Sequence, residues 1–131
     1  MFDELNARAW ASPVRAAVHS LAVDAYAMQH VEEYGRSAKS YAAHLLGLLC
    51  GVEHPGDRQL YWSIARWLDG PKSIEKPSLL VDRGRLTIAD VRLSEDAAYA
   101  AAVRPWAAAV WEAYNAQHPQ ARQWFAAIRG K

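Results

Sequence analysis

The apolar residues of this chain recur every three to four positions over most of its length, which is the period of amphipathic helices. In the stretch from Pro13 to about Val31, for example, Val14, Val18 and Leu21 fall on one face. The alternation typical of strands is rare, and Leu79 to Val81 is the one β-like fragment. The predicted helices are Asp3 to Ala11, Pro13 to about Val31, Ser37 or Ser40 to Val52, Asp57 to Leu68, Thr87 to Val91, Ser94 to Tyr114 and His118 to Arg129.

Turn signals separate these helices. The polar segment from Glu32 to Arg36 breaks the apolar pattern, and Gly35 is its reversal point, so a hairpin is predicted here. The tripeptide His54-Pro55-Gly56 predicts a second turn. Gly70 predicts the end of the helix that Asp57 opens.

Proline and glycine also mark two irregular regions. A loop containing both residue types is predicted around 71–86. Pro105 should kink the long helix or split it near Ala101, because proline removes a hydrogen bond and clashes with the preceding turn. The fold class predicted from these elements is all-α, a single-domain bundle of about five to six helices.

Chain length and cysteine content indicate the broad class of protein. The 131 residues fit one domain, 1–131, that buries its own core. No run of about 18 apolar residues predicts a membrane span, and the segment MFDELNARAW lacks the order of a secretory signal. Cys50 is the single cysteine and forms no internal disulfide. A cytoplasmic location is therefore expected.

Charge and aromatic content indicate the kind of partner. The 15 basic and 14 acidic residues are spread along the chain and give a net charge of +1, which does not predict nucleic-acid binding. Six tryptophans and six tyrosines are many for this length. Those that the core does not bury predict a self-association surface, so the expected assembly is a homo-oligomer, most simply a dimer.

Polar side chains are concentrated in the hairpin 13–52, which carries three of the five histidines. If its helices run antiparallel, His44 lies level with Asp24. A carboxylate beside an imidazole fixes the tautomer of the ring or raises its basicity, as a metal ligand or a general base requires. His19 lies about 7.5 Å from Asp24 along the helix axis. His44, Asp24 and His19 are therefore the candidate ligands of a divalent metal.

A second candidate polar site is formed by Gln29 and His30. His30 lies about 16 Å from His19 along the axis, so these two histidines cannot bind one ion together. Gln29 is placed to cap the hairpin turn or to bridge across it. Simple structural hydrogen bonding is the competing interpretation of both residues.

The Asp24–His44 pair has three open interpretations. It forms a buried interhelical hydrogen bond, a metal or catalytic pair, or part of a subunit interface. The sequence contains no HExxH, CxxC, GxSxG or glycine-rich phosphate loop, so no reaction is identified. Cys50 lies at the apolar end of its helix and is expected to be a buried, inert thiol.

Five segments carry a resemblance to a known family: HSLAVDAYAMQH, EEYGRSAKSYAAHL, RWLDGP, LTIADV and WAAAVWEAY. Together they resemble the uncharacterised bacterial proteins of domain-of-unknown-function family 5946, from Phe2 to about Trp124. The resemblance implies a mostly helical single domain and identifies no reaction. The residues that match the family pattern are His19, Asp24, Gln29, His30 and His44.

The sequence departs from that family in two places. Related proteins often carry a cysteine pair of the CPGC kind, which this sequence lacks, so no cysteine ligand is carried over. Relatives tend to have proline where this chain has Val31, after Gln29 and His30.

Three functions compete at this point, and whether the protein is an enzyme is left open. The first is a non-catalytic helical interaction module that forms a homodimer. The alternative is a small metal-binding protein or metal-dependent enzyme that uses the His/Asp site of hairpin 13–52. The third is a small-molecule sensor with a tryptophan-lined pocket in which Asp24 and His44 are the polar anchors.

Overall fold

The computed structural model describes residues 19–70, Arg83 and residues 96–130, with the backbone alone for 96–100. In this part of the chain it contains six α-helices and no strand, so the predicted all-α bundle is confirmed. The helices are α1 His19–Gln29, α2 Val31–Tyr34, α3 Ala38–Glu53, α4 Arg58–Asp69, α5 Asp96–Ala113 and α6 His118–Arg129, with a 3-10 helix Asn115–Gln117 before α6.

The central element is α3, which packs against α1, α4, α5 and α6. Nine of its residues are buried, among them Tyr41, Leu45 and Leu48. Trp106 and Tyr114 are fully buried, so these predicted core aromatics pack inside. Burial of this apolar surface is the main favourable term for folding.

The hairpin reverses at residues 35–37, next to the predicted reversal point Gly35, and a short helix precedes the turn. The segment 31–34, predicted to be part of the break, forms the short helix α2. A second interruption lies at His30, with φ −120° and ψ 46°. Glu32 and Glu33 in the first turn of α2 favour its N-terminus. Gly35 caps the C-terminus of α2, its amide donating to the Val31 carbonyl, and a Cβ at this position would collide with the Val31 side chain. The reversal at Gly35 therefore agrees with the prediction, and the helical turn before it was not predicted.

Capping residues set the ends of α3 and α4 as predicted. The Ser37 hydroxyl accepts a hydrogen bond from the Ser40 amide at 3.0 Å, and the Asp57 carboxylate accepts one from the Leu60 amide at 3.0 Å. Each bond satisfies an amide that the first helical turn leaves without a partner. Gly56 adopts φ +82° in the turn before α4, a conformation that side chains with a Cβ rarely adopt.

Pro105 lies inside α5, which runs from Asp96 to Ala113 as one helix. The predicted split near Ala101 is therefore wrong. Pro105 and Ala101 are both on the exposed side of α5, where water can hydrate the carbonyl that the proline leaves without a donor.

Several predictions fall outside the described residues. They concern the helix Asp3 to Ala11, the fragment Leu79 to Val81, the helix Thr87 to Val91 and, apart from Arg83, the loop around 71–86. Among the described helices, none has both the length and the apolarity that crossing a membrane requires.

Candidate functional site

The candidate site is built on a contact between α1 and α3. His44 Nδ1 lies 2.8 Å from Asp24 Oδ1, so the hairpin brings the two groups together as predicted. An ionised carboxylate is an acceptor only, and Nδ1 therefore donates the proton of this bond. In that tautomer Nε2 of His44 carries a lone pair, the form in which imidazole binds a metal or accepts a proton.

Gly47 provides the space for the Asp24 carboxylate. A Cβ built on Gly47 would overlap Oδ2 and Cγ of Asp24, so the carboxylate packs directly on the backbone of α3. Gly47 follows His44 by one helical turn and shares its face. This role of Gly47 was not predicted, although a glycine inside an apolar helix costs about 1 kcal/mol relative to alanine and is therefore a sign of close packing.

The carboxylate is buried at a cost. Asp24 is 9% exposed, and this burial raises its pKa to about 6, against the opposing effect of the hydrogen bond and charge of His44. No group among the described residues donates a hydrogen bond to Oδ2. At pH 7 the group is mostly ionised, and His44 is its donor among the described residues.

A pocket of about 330 Å³ opens beside this carboxylate, a size within the range of small-molecule sites. Asp24, His19, Ser20 and Tyr61 supply its polar wall. Its apolar wall comes from Val23, Ala43 and Ile64. We call this space the Asp24 pocket. Within the described part of the chain, no tryptophan lines the Asp24 pocket, and its aromatic residue is Tyr61 of α4. A tryptophan-lined pocket with Asp24 and His44 as its polar anchors stays a prediction.

His19 lines the Asp24 pocket together with Asp24. Partial burial lowers its pKa, so its imidazole is neutral at pH 7. Within residues 19–70, Arg83 and 96–130, no three His, Cys, Asp or Glu side chains lie close enough together to hold a metal ion. The structure thus joins His44 to Asp24 and places His19 in the same pocket, and a shared metal stays a prediction.

Gln29 and His30 lie outside the Asp24 pocket. The Gln29 side chain donates to the carbonyl of Arg83 at 3.1 Å and accepts from the indole of Trp106 at 2.9 Å. It therefore bridges the hairpin to α5 rather than across the hairpin turn. His30 is exposed, and its ring packs against Tyr26 with centroids 4.3 Å apart. Both have structural contacts and share no pocket.

Cys50 is adjacent to the site and is not activated. The thiol is fully buried, and this burial raises its pKa to about 11 despite a hydrogen bond with Tyr61. Burial also raises the pKa of Tyr61, which keeps its hydroxyl protonated as a donor at the pocket. The prediction of an inert thiol agrees with this environment.

The fold and site define a class: an all-α bundle in which two helices of a hairpin enclose an aspartate–histidine pair beside an open pocket. The sequence profile of a family of unknown function, DUF5946, matches residues 1–115. The chain belongs to this family, and the match ends before Trp124, to which the resemblance was expected to extend. No curated protein and no solved structure matches the chain.

Proposed function

We propose that this protein binds a small organic cation, one that carries a protonated amine or a similar N–H donor group, in the Asp24 pocket. The observation that supports this is the buried Asp24 carboxylate, with Oδ1 held by His44 at 2.8 Å and Oδ2 without a donor beside a pocket of about 330 Å³. A charged N–H donor is the chemical group that satisfies such an oxygen best.

The energetic cost of Asp24 favours a binding role over a purely structural one. Its pKa of about 6, against 3.8 for an unburied aspartate, corresponds to about 3 kcal/mol that the ionised group takes from stability at pH 7. An asparagine in the same place would hydrogen-bond His44 without that cost. Strongly perturbed groups that line a cleft are typical of functional sites.

The other residues that line the pocket indicate the charge and the apolar part of the ligand. His19 is neutral and Tyr61 is protonated at pH 7, so neither supplies a positive charge that would attract an anion. Val23, Ala43 and Ile64 offer apolar contacts for a short hydrocarbon body. The pocket therefore favours an amine with a small apolar group over an amino acid or a phosphate.

The test is a thermal-shift screen at pH 7.5 with small primary amines, guanidines and the alcohols and carboxylic acids of matching shape. We expect stabilisation by members of the cationic set alone, followed by calorimetry on the best of them. Asp24→Asn should abolish the binding, and Gly47→Ala should weaken it at least about tenfold because the new methyl group displaces the carboxylate.

The matched control is Asp69→Asn, which removes an exposed carboxylate that pairs with Lys39 at 3.2 Å. It should leave binding unchanged. Binding should also weaken as the pH falls below about 6, since protonated Asp24 has no charge to offer. Stabilisation by the acids, or equal binding by Asp24→Asn, would overturn the proposal.

The metal interpretation of His44, Asp24 and His19 has its own test. Metal analysis of protein purified without an affinity tag, compared with His44→Ala, should show a divalent metal in the first and little in the second. Negligible metal in both proteins would exclude the metal interpretation.

A homodimeric interaction module likewise stays a prediction, and sedimentation velocity tests it: a monomer at all concentrations would exclude a dimer.

A further inference from the structure

The outward face of α4 carries an aromatic ring between two cations. Trp62 is 71% exposed and is the one large hydrophobic side chain exposed in the described part of the chain. Arg58 and Arg66 precede and follow it by four residues, which places all three on one side of the helix. Both arginines are exposed as well. This side of α4 therefore presents two planar guanidinium groups beside an indole.

A groove between α4 and α6 continues the stripe. It has a volume of about 290 Å³, and Gln59, Ser63, Arg66 and Arg129 line its polar sides. Leu60 and Ile128 form its apolar floor. We call Arg58, Trp62 and Arg66 together with this groove the α4 face.

The acidic side chains around the α4 face are already engaged. Asp57 lines the groove, and its Oδ1 accepts the capping hydrogen bond from Leu60. Asp69, one turn beyond Arg66, pairs with Lys39 at 3.2 Å. Within the described residues, Arg58, Arg66 and Arg129 form no ion pair, and the guanidinium of Arg129 lies over the ring of Phe125, 5.0 Å from its centroid. Arg58 and Arg66 thus flank the exposed indole, and Arg129 lines the adjoining groove with Arg66; within the described residues none of the three has a carboxylate partner.

We propose that the α4 face binds an acidic peptide segment of a partner protein, with carboxylates on the arginines and an apolar side chain against Trp62. Arginine binds carboxylates through two parallel hydrogen bonds, and tryptophan and arginine are the residues that contribute most to interface energy. The net charge of +1 and the small number of cations here fit a short acidic peptide better than the long phosphate run of a nucleic acid. This proposal is independent of the Asp24 pocket.

The experiment measures binding of a fluorescently labelled peptide of alternating glutamate and leucine to the full chain by anisotropy. Two comparison ligands are tested in the same assay: the same peptide with glutamine in place of glutamate, and a single-stranded DNA 12-mer. We expect the acidic peptide to bind and the glutamine peptide to bind at least about tenfold more weakly. Trp62→Ala and Arg66→Glu should each cost about tenfold or more. Raising the salt concentration should weaken the arginine contribution.

Arg36→Glu is the control, because it changes the net charge equally at an exposed arginine in the turn between α2 and α3. It should leave affinity within about twofold. Circular dichroism of every variant checks that the fold is retained. Equal binding of both peptides, tighter binding of the DNA, an equal loss in Arg36→Glu, or burial of Trp62 in a dimer of this chain would each overturn the proposal.

Discussion

Two carboxylates of the bundle, Asp24 and Glu53, are held in opposite ways. Glu53 accepts two hydrogen bonds from Arg122, at 2.9 and 2.8 Å, and one from the Trp111 indole at 3.3 Å, and the bonds from Arg122 are the main reason that its pKa is lowered. Asp24 has one donor, His44, and burial raises its pKa to about 6. The number of donors relative to burial decides whether a carboxylate stabilises the fold or remains available to a ligand.

Around Glu53, polar and aromatic side chains from three helices contact one another. The His118 ring stacks on Trp111 with centroids 3.7 Å apart, and its Nε2 bonds the Trp111 carbonyl at 2.7 Å. Together with Arg122 these contacts fasten α6 to the ends of α3 and α5. The hydrogen bonds of this cluster are made between helices, and its role is to join them.

The first and largest expected effect that tests the difference between Asp24 and Glu53 is the contribution of Asp24 to the pH dependence of stability. Between about pH 4 and pH 6 the folded chain binds a proton at Asp24 that the unfolded chain has released. The free energy of unfolding should therefore fall as the pH rises through this window, by up to about 3 kcal/mol relative to Asp24→Asn. Below about pH 4 the two proteins should differ little. Urea denaturation of both at several pH values measures this, and parallel curves would show that Asp24 is fully compensated.

A smaller effect is expected for Glu53→Gln, which keeps the shape and removes the charge. It should lower the free energy of unfolding by about 1 to 2 kcal/mol at pH 7, because the hydrogen bonds from Arg122 lose their ionic character. Asp24→Asn should have the opposite sign at the same pH. Glu112→Gln, on an exposed position of α5, is the control and should change little. If Glu53→Gln and Asp24→Asn both destabilise equally, the two carboxylates do not differ as described.

The smallest effect concerns two buried tyrosines, which also differ in whether their polar group has a hydrogen-bond partner. The Tyr114 hydroxyl donates to the Met28 carbonyl at 2.5 Å, whereas the buried Tyr41 hydroxyl has no hydrogen-bond partner among the described residues. Tyr41→Phe should therefore be neutral or stabilise by up to about 1 kcal/mol, and Tyr114→Phe should destabilise by about 1 kcal/mol. Thermal unfolding followed by circular dichroism compares them. A destabilised Tyr41→Phe would indicate an ordered water on that hydroxyl.

Local rules were enough to predict much of the fold. Helical periodicity, the Ser37 and Asp57 caps and the turn at His54-Pro55-Gly56 depend on residues close in sequence, so they are readable without coordinates. The Asp24–His44 contact was also predictable, because an antiparallel hairpin fixes which residues lie level. The short helix α2 was missed because its stability comes from two glutamates in its first turn rather than from apolar spacing.

The rest of the candidate site depends on packing between distant segments. Tyr61 reaches the pocket only because α4 folds back along α3, and sequence spacing gives no rotation of one helix about another. The bridge from Gln29 to Trp106 and Arg83 joins residues more than fifty positions apart. Such contacts follow from the three-dimensional arrangement of helices, which no local pattern specifies.

Gly47 offers a way to trace the site through the family. Any larger residue at this position would fill the volume that the Asp24 carboxylate occupies. Relatives able to use the site should therefore combine an aspartate in the first hairpin helix with a histidine and, three residues later, a glycine in the second. A relative that replaces this glycine should have lost the acid as well, and such paired loss can be read directly from sequences.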